Sequence, residues 1–233
     1  MSANSEHYCT CFTADDLSED DRARLSQRRA AVLKGARWPD AAGITIRFLD
    51  GSKKLQERVR AVAEEWTKIT SLRFEFVNNG PTDVRVAFTP GKGSWSYLGT
   101  VCRSIPEPQP TMNYGWLTPD STEAELRRVV LHEFGHAVGL IHEHQNPKGG
   151  IKWNKPAVIA DLSGPPNNWD PAKIENNMFR YYPPEDVIAT NADPLSIMMY
   201  PIPRAWTIDG FSAGLNGELS DDDRTLIKSV YPS

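Results

Sequence analysis

The sequence predicts an α+β domain of two lobes: a mixed, twisted β-sheet with two long helices, then an irregular C-terminal lobe with a final helix. Between residues 43 and 139, segments with the two-residue period of strands alternate with segments that have the period of helices. Beyond Gly139, proline, glycine and asparagine become frequent, and only short helices fit. We therefore expect an N-terminal extension at residues 1–40, a sheet-and-helix lobe at residues 41–139 and a C-terminal lobe at residues 140–233.

Composition and charge argue against several classes of partner. The chain has 233 residues with 26 basic and 30 acidic side chains, and it shows no basic stripe that would attract nucleic acid. No apolar run reaches the roughly 20 residues that span a membrane. The first residues lack the basic start and apolar stretch of a secretory signal, which favours a cytoplasmic protein or one exported by another route. We expect a monomer that binds neither nucleic acid nor membrane.

Strands and one amphipathic helix build the predicted first lobe. Apolar and polar residues alternate over residues 43–49, which is the pattern of a strand, and further strands are predicted at residues 72–77 and 83–88. The helix predicted at residues 52–69 repeats apolar side chains at steps of three and four, which gives it one buried face: Leu55, Val59, Val62, Trp66 and Ile69. The polar extension before this lobe includes a charged helical stretch around residues 17–33.

Residues 94–101 form a further strand candidate inside a segment rich in glycine, serine and proline. If this strand lies at an exposed edge of the sheet, a bound peptide can pair with it through backbone hydrogen bonds. A plain surface loop fits the same residues equally well. The stretch alone therefore leaves both interpretations open.

The remaining helices are predicted from their end signals. The second long helix covers residues 120–138, where Thr122 and Glu125 have the spacing of a capping box and Gly139 is placed to end the helix. Short helices are predicted at residues 156–162 and 171–179. A final helix at residues 220–231 opens with Ser220 and three aspartates, which suit the positive end of a helix.

The second long helix and the turn after it carry the spacing of a metal site. His132 and His136 stand four residues apart and so share one helix face, where both imidazoles can bind one zinc ion. Glu133 points to a neighbouring sector and can reach a water on the metal without ligating the metal itself. Gly139 tolerates a positive φ, and the sharp turn that it allows brings His142 back to the metal.

The same pattern predicts a catalytic zinc site rather than a structural one. Three protein ligands leave the fourth position of a single Zn²⁺ ion open for water, and no cysteine follows the motif closely to fill it. Glu133 is then the general base that takes a proton from this water. Four of the five histidines lie within residues 132–144, a clustering that histidines scattered for packing would not show.

The run from His132 to His142 resembles the H-E-x-x-H-x-x-G-x-x-H signature of the metzincin zinc proteases. Within that clan, residues 142–147 (HEHQNP) and 196–200 (SIMMY) resemble the astacin family. The resemblance implies a two-lobed protease domain with Met198 beneath the zinc site. It also implies that Tyr200 is a phenol near the metal, an extra ligand at rest and a transition-state donor when substrate binds. Secretion is the family-based alternative for the compartment.

Some residues depart from the astacin pattern, and one further residue matches it. Met199 stands where astacins usually carry histidine, and Leu140 where they usually carry phenylalanine, but neither is a ligand position. Three cysteines cannot form all the usual astacin disulfides. In astacins the glutamate after the third histidine pairs with the new N-terminus of the matured enzyme, and Glu143 matches that position.

The chemistry predicts an endopeptidase that acts on protein or peptide substrates. Residues 201–206 are expected to wall the pocket for the side chain after the scissile bond, with no preference indicated. The N-terminal extension is a candidate regulator, because Cys9 or Cys11 could bind the zinc as a thiolate and displace the water. Asp15 resembles the aspartate that blocks zinc in astacin prosegments. A flexible N-terminus and free thiols without a role are the alternative.

Three other functions fit part of the sequence. A zinc-dependent amidohydrolase that acts on a non-protein amide would use the same activation of water, but a candidate edge strand favours extended peptides. A catalytically silent binding protein on a protease fold would require loss of the base or of a ligand, and this chain keeps all four residues. A structural zinc module would need a fourth protein ligand.

Overall fold

The structure is a computed structural model, and it describes residues 7–13, 16–17, 36–188 and 191–233. The predicted charged helix around residues 17–33 lies outside the described residues except for Leu17. Asp15 also lies outside them. No helix among the described residues is both long and apolar enough to cross a membrane.

One six-stranded sheet forms the larger layer, in the order β1-β5-β6-β4-β2-β3. Of the strand pairs among the described residues, β5–β6 is antiparallel and the other four are parallel, so the sheet is mixed, as predicted. The strands are β1 (Thr10–Phe12), β2 (Gly43–Phe48), β3 (Arg73–Phe76), β4 (Val84–Ala87), β5 (Ser94–Tyr97) and β6 (Met112–Tyr114). The sequence analysis did not predict β6, which is only three residues long and follows a proline-rich segment.

The first long helix, α1 (Lys53–Ala63), ends earlier than the sequence predicts. The chain turns there and forms a short 3-10 helix at Thr67–Ile69. The fully buried Trp66 donates its indole N–H to the Leu131 carbonyl at 3.1 Å, which ties this turn to the next long helix. Trp66 and Ile69, which continued the apolar pattern of the predicted helix, therefore lie in the turn and the short 3-10 helix after α1.

Strand β5 is also shorter than predicted, because the chain changes direction at Gly99. This glycine has a φ of 47°, and a Cβ at its position would lie 1.9 Å from the Ala36 carbonyl oxygen. A 3-10 helix at Gly99–Ser104 follows. Only glycine allows this close approach of two backbones.

The second long helix, α2 (Glu123–Ala137), packs against α1 and behind the sheet. Its Thr122 hydroxyl accepts from the Glu125 N–H at 3.3 Å, while the Glu125 carboxylate binds Trp116 and Arg128. Its buried apolar row packs with side chains of α1 and the sheet in the main core, which includes Ile46, Val59, Val86, Leu126, Val130 and Phe134.

The C-terminal part of the chain is irregular, with short helices α3 (Lys155–Leu162) and α4 (Pro171–Ile174) before the final helix α5 (Asp221–Val230). A π-helical turn at Glu175–Phe179 continues α4. A second core of buried side chains fills this part: Val158, Leu162, Trp169, Ile174, Met178, Phe179, Met199, Tyr200, Ile202 and Trp206. The α+β class is confirmed, whereas the division of the chain at residues 40 and 139 stays a prediction.

Residues 7–13, the N-terminal segment, are part of this architecture. β1 pairs in parallel with β5, and Tyr8 and Cys9 are 4% and 3% exposed. The predicted edge for a bound peptide is therefore a strand, and the chain's own N-terminal segment lies along it. Periodicity could not reveal this, because three residues of strand carry no pattern and their partner lies more than 80 residues away.

Candidate active site

Helix α2 and the turn that follows it bring three histidines together. Gly139 has a φ of 104°, and its N–H donates to the His136 carbonyl at 2.8 Å. This turn returns His142 to the helix, so that one ring nitrogen from each of His132, His136 and His142 lies within 4.8 Å of the others. The Nε2 atoms of His136 and His142 are 3.1 Å apart.

The other ring nitrogen of each histidine is fixed by a carbonyl group. His132 Nδ1 lies 2.9 Å from the Ile197 carbonyl oxygen, and His136 Nδ1 lies 2.8 Å from that of Leu140. His142 Nδ1 lies 3.2 Å from Oε1 of Gln145. Because carbonyl oxygens only accept, each Nδ1 carries the proton, and each Nε2 directs a lone pair toward the other two.

Burial keeps these rings neutral. It lowers the pKa of His132 to about 4, and it lowers the pKa values of His136 and His142 well below their ordinary range, with the neighbouring histidines adding to the effect. His132 Nε2 is buried without a hydrogen-bond partner. Tetrahedral nitrogen ligands about 2.0–2.1 Å from zinc are about 3.3 Å apart, close to the 3.1 Å spacing found here. The donor set therefore fits a zinc ion.

Glu133 is fully buried beside this cluster. Burial raises the pKa of its carboxyl group well above its ordinary value. The Cys9 thiol faces this carboxyl group, although neither carboxyl oxygen accepts a hydrogen bond of regular geometry from the described residues. Burial, and then the charge of Glu133, raises the pKa of the Cys9 thiol well above its ordinary value. A buried acid without regular partners suits a group that handles protons.

Met198 lies directly under α2. A Cβ on Gly135 would lie 2.3 Å from the Met198 sulfur, so a side chain at position 135 would push the methionine away. The Glu143 N–H donates to the Met198 carbonyl at 3.0 Å, which joins the turn to the segment after His142. Glycine at position 135 thus allows the helix and the turn to approach each other closely.

Asp223 at the start of α5 holds this turn in place. Its carboxylate accepts from the Ser196 hydroxyl at 2.6 Å and from the Ile197 N–H at 2.8 Å. Ile197 in turn accepts from His132, so the chain of contacts reaches the first histidine. The sequence analysis treats residues 221–223 only as a helix start, and a buried aspartate among them was not foreseen.

Tyr200 follows the same turn and lies among the histidines. Its ring centroid is 4.3 Å from that of His142 and 4.5 Å from that of His144. Its hydroxyl donates a short hydrogen bond to the Cys9 carbonyl oxygen. Burial raises the pKa of this phenol well above its ordinary value. The phenol is therefore a neutral donor that points at a peptide carbonyl group.

His144 is a residue that the sequence analysis did not assign, although it belongs to the same cluster of histidines. Its Nε2 lies 2.7 Å from the Asn177 carbonyl oxygen, and burial lowers its pKa to about 4. Gln145, which orients His142, was also not assigned; its amide donates to the Asn176 carbonyl at 2.7 Å. The only feature of the sequence that pointed to a role for His144 and Gln145 was their position directly after the third histidine and Glu143.

The other two cysteines are packed in apolar cores. Cys11 packs in a small core with Leu98, Val101 and Ile105, and Cys102 lies in the main core. All three cysteines are buried free thiols. Burial raises the pKa of Cys102 to about 12, so this thiol stays protonated. Of the two predicted blocking thiols, Cys9 is the one that the fold places against Glu133.

Glu143 lines a cleft between the turn after α2 and helix α5, together with Arg37, Asp223 and Tyr231. Its carboxylate accepts from the Asn146 amide at 3.0 Å and from the Asp193 N–H at 3.2 Å. Burial raises the pKa of Glu143. The cleft thus contains three acidic groups: Glu143, Asp186 and Asp223.

Comparisons with known proteins agree with this geometry. The family model described as Astacin, a family of peptidases, matches residues 31–150. Mouse (Mus musculus) stromelysin-3 is 31% identical over 144 residues, which are 54% of this chain and 29% of that protein. Blastula protease 10 of Paracentrotus lividus is 25% identical over 134 residues, with 55% of this chain and 21% of that protein covered. The chain thus spans less than a third of either curated relative.

A solved structure of myroilysin is similar over much more of its length. The TM-score is 0.84 at 41% identity, and the match covers 88% of this chain and 99% of that one. The predicted class, a metzincin-type zinc metalloendopeptidase domain, is confirmed by the family match and the shared fold. The chain belongs to the astacin family of peptidases.

Proposed function

We propose that this protein is an endopeptidase that holds one catalytic zinc ion through His132, His136 and His142 and uses Glu133 as its general base. One observation carries the proposal: three neutral imidazoles, each fixed through Nδ1, direct Nε2 lone pairs to one point beside a buried carboxyl group. A zinc ion bound there would act as a Lewis acid, polarising a peptide carbonyl and lowering the pKa of water.

Glu133 supplies the proton transfers. Its carboxylate takes a proton from the attacking water and then gives that proton to the amine that leaves. Burial raises the pKa of this group while Cys9 lies against it. When the thiol leaves and water enters, the desolvation decreases and the pKa falls toward the range where the carboxylate can act as a base.

Tyr200 stabilises the oxygen that gains charge during attack. Its hydroxyl already donates to a peptide carbonyl, that of Cys9, in a chain segment that lies across the site. The Cys9 carbonyl thus stands in for the carbonyl of a substrate. A preorganised donor strengthens its hydrogen bond as that oxygen becomes negative, which lowers the barrier to hydrolysis.

The N-terminal segment makes the enzyme latent. It pairs with β5, where an extended substrate would pair, and it places Cys9 against Glu133 and Tyr200. Cys9 rather than Cys11 is the blocking thiol in this proposal, because the Cys9 thiol faces the Glu133 carboxyl group. Asp15 has no assigned part, since it lies outside the described residues.

The cleft beside Glu143 is the proposed seat of a new amino terminus after the segment is removed. Glu143 and Asp223, two of its three acidic groups, would pair with a positively charged terminus. Arg37 and Tyr231 line the same cleft, so a chain cut shortly before residue 36 could reach it. This role follows the family resemblance, and it is a proposal for this chain.

Protein or peptide substrates fit this site better than small amides. The edge of β5 offers backbone hydrogen bonds that only an extended chain can use. The base and all three histidines are present and assembled, which disfavours a silent binding protein. For the compartment we propose the family-based alternative, secretion, because the chain belongs to the astacin family. Cell fractionation tests this, and protein found only in the cytosol would contradict it.

The test of the activity is digestion of unfolded casein by the purified, zinc-loaded full chain, with and without a zinc chelator. Limited trypsin treatment, followed by a trypsin inhibitor, releases the N-terminal segment first. We expect casein cleavage that the chelator abolishes and that the Glu133→Ala variant lacks. Zinc binding without any cleavage of casein or of a mixed peptide library, before and after the trypsin step, would contradict the proposal.

A further inference from the structure

Tyr8 fills a pocket made largely of aromatic side chains. Its ring stacks on Trp206 at a centroid distance of 5.4 Å and meets Tyr200 at 5.2 Å and Trp169 at 6.3 Å, both edge-on. Its hydroxyl donates to the Pro201 carbonyl at 3.0 Å. With 4% of Tyr8 exposed, the pocket encloses the whole side chain.

The pocket contacts the backbone of Tyr8 as well as its side chain. The Tyr8 N–H donates to Oδ1 of Asn167 at 3.2 Å. The residue in the pocket is thus held at three places: its amide, its ring and its hydroxyl. Asn167 and Trp169 belong to the loop between α3 and α4, and Pro201 and Trp206 belong to the segment after Tyr200.

The position of this pocket relative to Glu133 matters for catalysis. Cys9 lies against Glu133, and the residues after it, Thr10–Phe12, pair with β5. Tyr8, the residue before Cys9, therefore lies on the side of Glu133 away from β5. Pro201 and Trp206, which contact Tyr8, belong to the segment 201–206 that the sequence predicts to wall the pocket for the side chain after the scissile bond. An extended substrate cut at Glu133 would therefore place the residue after the scissile bond in the same pocket.

We infer that the enzyme prefers tyrosine or phenylalanine at the substrate position that enters this pocket, for which Tyr8 is a resident stand-in. The inference rests on the proposed function and adds the substrate class to it. The walls that contact Tyr8 offer ring faces, ring edges and one carbonyl acceptor. An aromatic ring uses all of these, whereas a carboxylate would be desolvated against rings and face the Pro201 carbonyl oxygen.

A set of peptides tests the inference on the full chain, loaded with zinc and treated with trypsin and then a trypsin inhibitor. The peptides are fluorogenic and identical except at the position after the cut, which is Tyr, Phe, Leu, Ala or Asp. Mass spectrometry locates each cut. We expect kcat/KM for the Tyr and Phe peptides about tenfold above that for Ala and Asp. Equal rates, or the fastest cleavage of the Asp peptide, would overturn the inference.

Casein digestion in the same preparation separates the two proposals. Casein cleavage without an aromatic preference would overturn this inference and leave the proposed function standing. Absence of both casein and peptide cleavage would overturn the proposed function and this inference with it. Because these readouts use the natural sequence, they do not depend on whether a variant folds.

A pair of variants then ties the preference to the pocket. Trp169→Ala removes one wall, so the ratio of Tyr to Ala cleavage should fall several-fold, while Trp169→Phe should restore most of it. Trp116→Ala is the matched control. Trp116 stacks on His7, the neighbour of Tyr8, at 4.9 Å, and among the described residues its ring makes no contact with the Tyr8 ring. A ratio unchanged by Trp169→Ala, or lowered equally by Trp116→Ala, would contradict this assignment.

Discussion

Helix α2 contains Glu133, and the N-terminal segment contacts that residue. Different interactions hold the helix and the segment in place. The helix forms its own backbone hydrogen bonds and buries an apolar row in the main core. The segment has three residues of strand and depends on distant partners: β5, Asn167 and the aromatic pocket around Tyr8. A helix with its own hydrogen bonds and core contacts stays in place, whereas the segment can leave without unfolding its partners.

This difference gives the two regions different roles. In the proposed site, the α2 side carries the three histidines, each held by a hydrogen bond to a carbonyl group, and the buried Glu133 as the base. The segment side supplies a thiol, a carbonyl and a tyrosine that, in the proposed function, take the place of a substrate. Changes in α2 should therefore remove activity, and changes in the segment should release it.

The largest expected effect comes from the base. Glu133→Ala should lower kcat/KM for casein by about 10³–10⁴-fold, because the water loses its proton acceptor while the three histidines remain. Zinc content measured by mass spectrometry should stay at one ion per chain. Glu123→Ala, at an exposed position in the first turn of the same helix, is the control. Normal turnover by the Glu133 variant would remove it from the mechanism.

Tyr200→Phe should lower kcat by about 10²-fold with a smaller change in KM, since the hydroxyl acts on the oxygen that gains charge in the transition state. The ring, and so its packing against His142 and His144, is kept. Steady-state kinetics on a fluorogenic peptide measure both constants. An unchanged kcat would show that the phenol takes no part in catalysis.

Asp223→Ala should cost about 2 kcal/mol of unfolding free energy, because the Ser196 hydroxyl and the Ile197 N–H lose their buried acceptor. Denaturant unfolding followed by circular dichroism measures the loss. The neighbouring Asp222→Ala, at an exposed position of the same helix turn, is the control. Equal stability of the two variants would contradict the role of Asp223 as the anchor of the Met198 turn.

The smallest of these effects concerns latency. Cys9→Ala should raise the rate of casein cleavage by the full-length chain about tenfold, since loss of the thiol removes one contact but leaves β1 and Tyr8 in place. Cys11→Ala, two residues away in the small core with Leu98, should leave the full-length chain as latent as before. Equal rates for the two variants would contradict the assignment of Cys9.

The features that the sequence predicts well are those with short-range causes. Four-residue spacing put His132 and His136 on one face, and the need for a positive φ at Gly139 predicted the turn to His142. The same reasoning placed α1, α2 and α5, with errors only at their ends. Each of these depends on residues within about ten positions of one another.

The features that the sequence analysis missed depend on distant contacts. β6 and β1 are three-residue strands whose partners alone define them. The anchoring role of Asp223 arises from a contact with a turn 26 residues earlier. Tyr8 and Cys9 were placed in an extension because their partners lie at the other end of the chain, near Pro201 and Tyr200.

The central claim, that the N-terminal segment covers a site built by α2, is tested most directly by following one sample of the full-length, zinc-loaded chain during trypsin activation. At each time, casein cleavage is measured after trypsin inhibition, and alkylation of Cys9 by iodoacetamide is measured by peptide mass spectrometry. We predict that activity rises in step with the fraction of chains whose Cys9 has become reactive or whose segment has been lost. Full activity while Cys9 remains attached and protected would contradict the account.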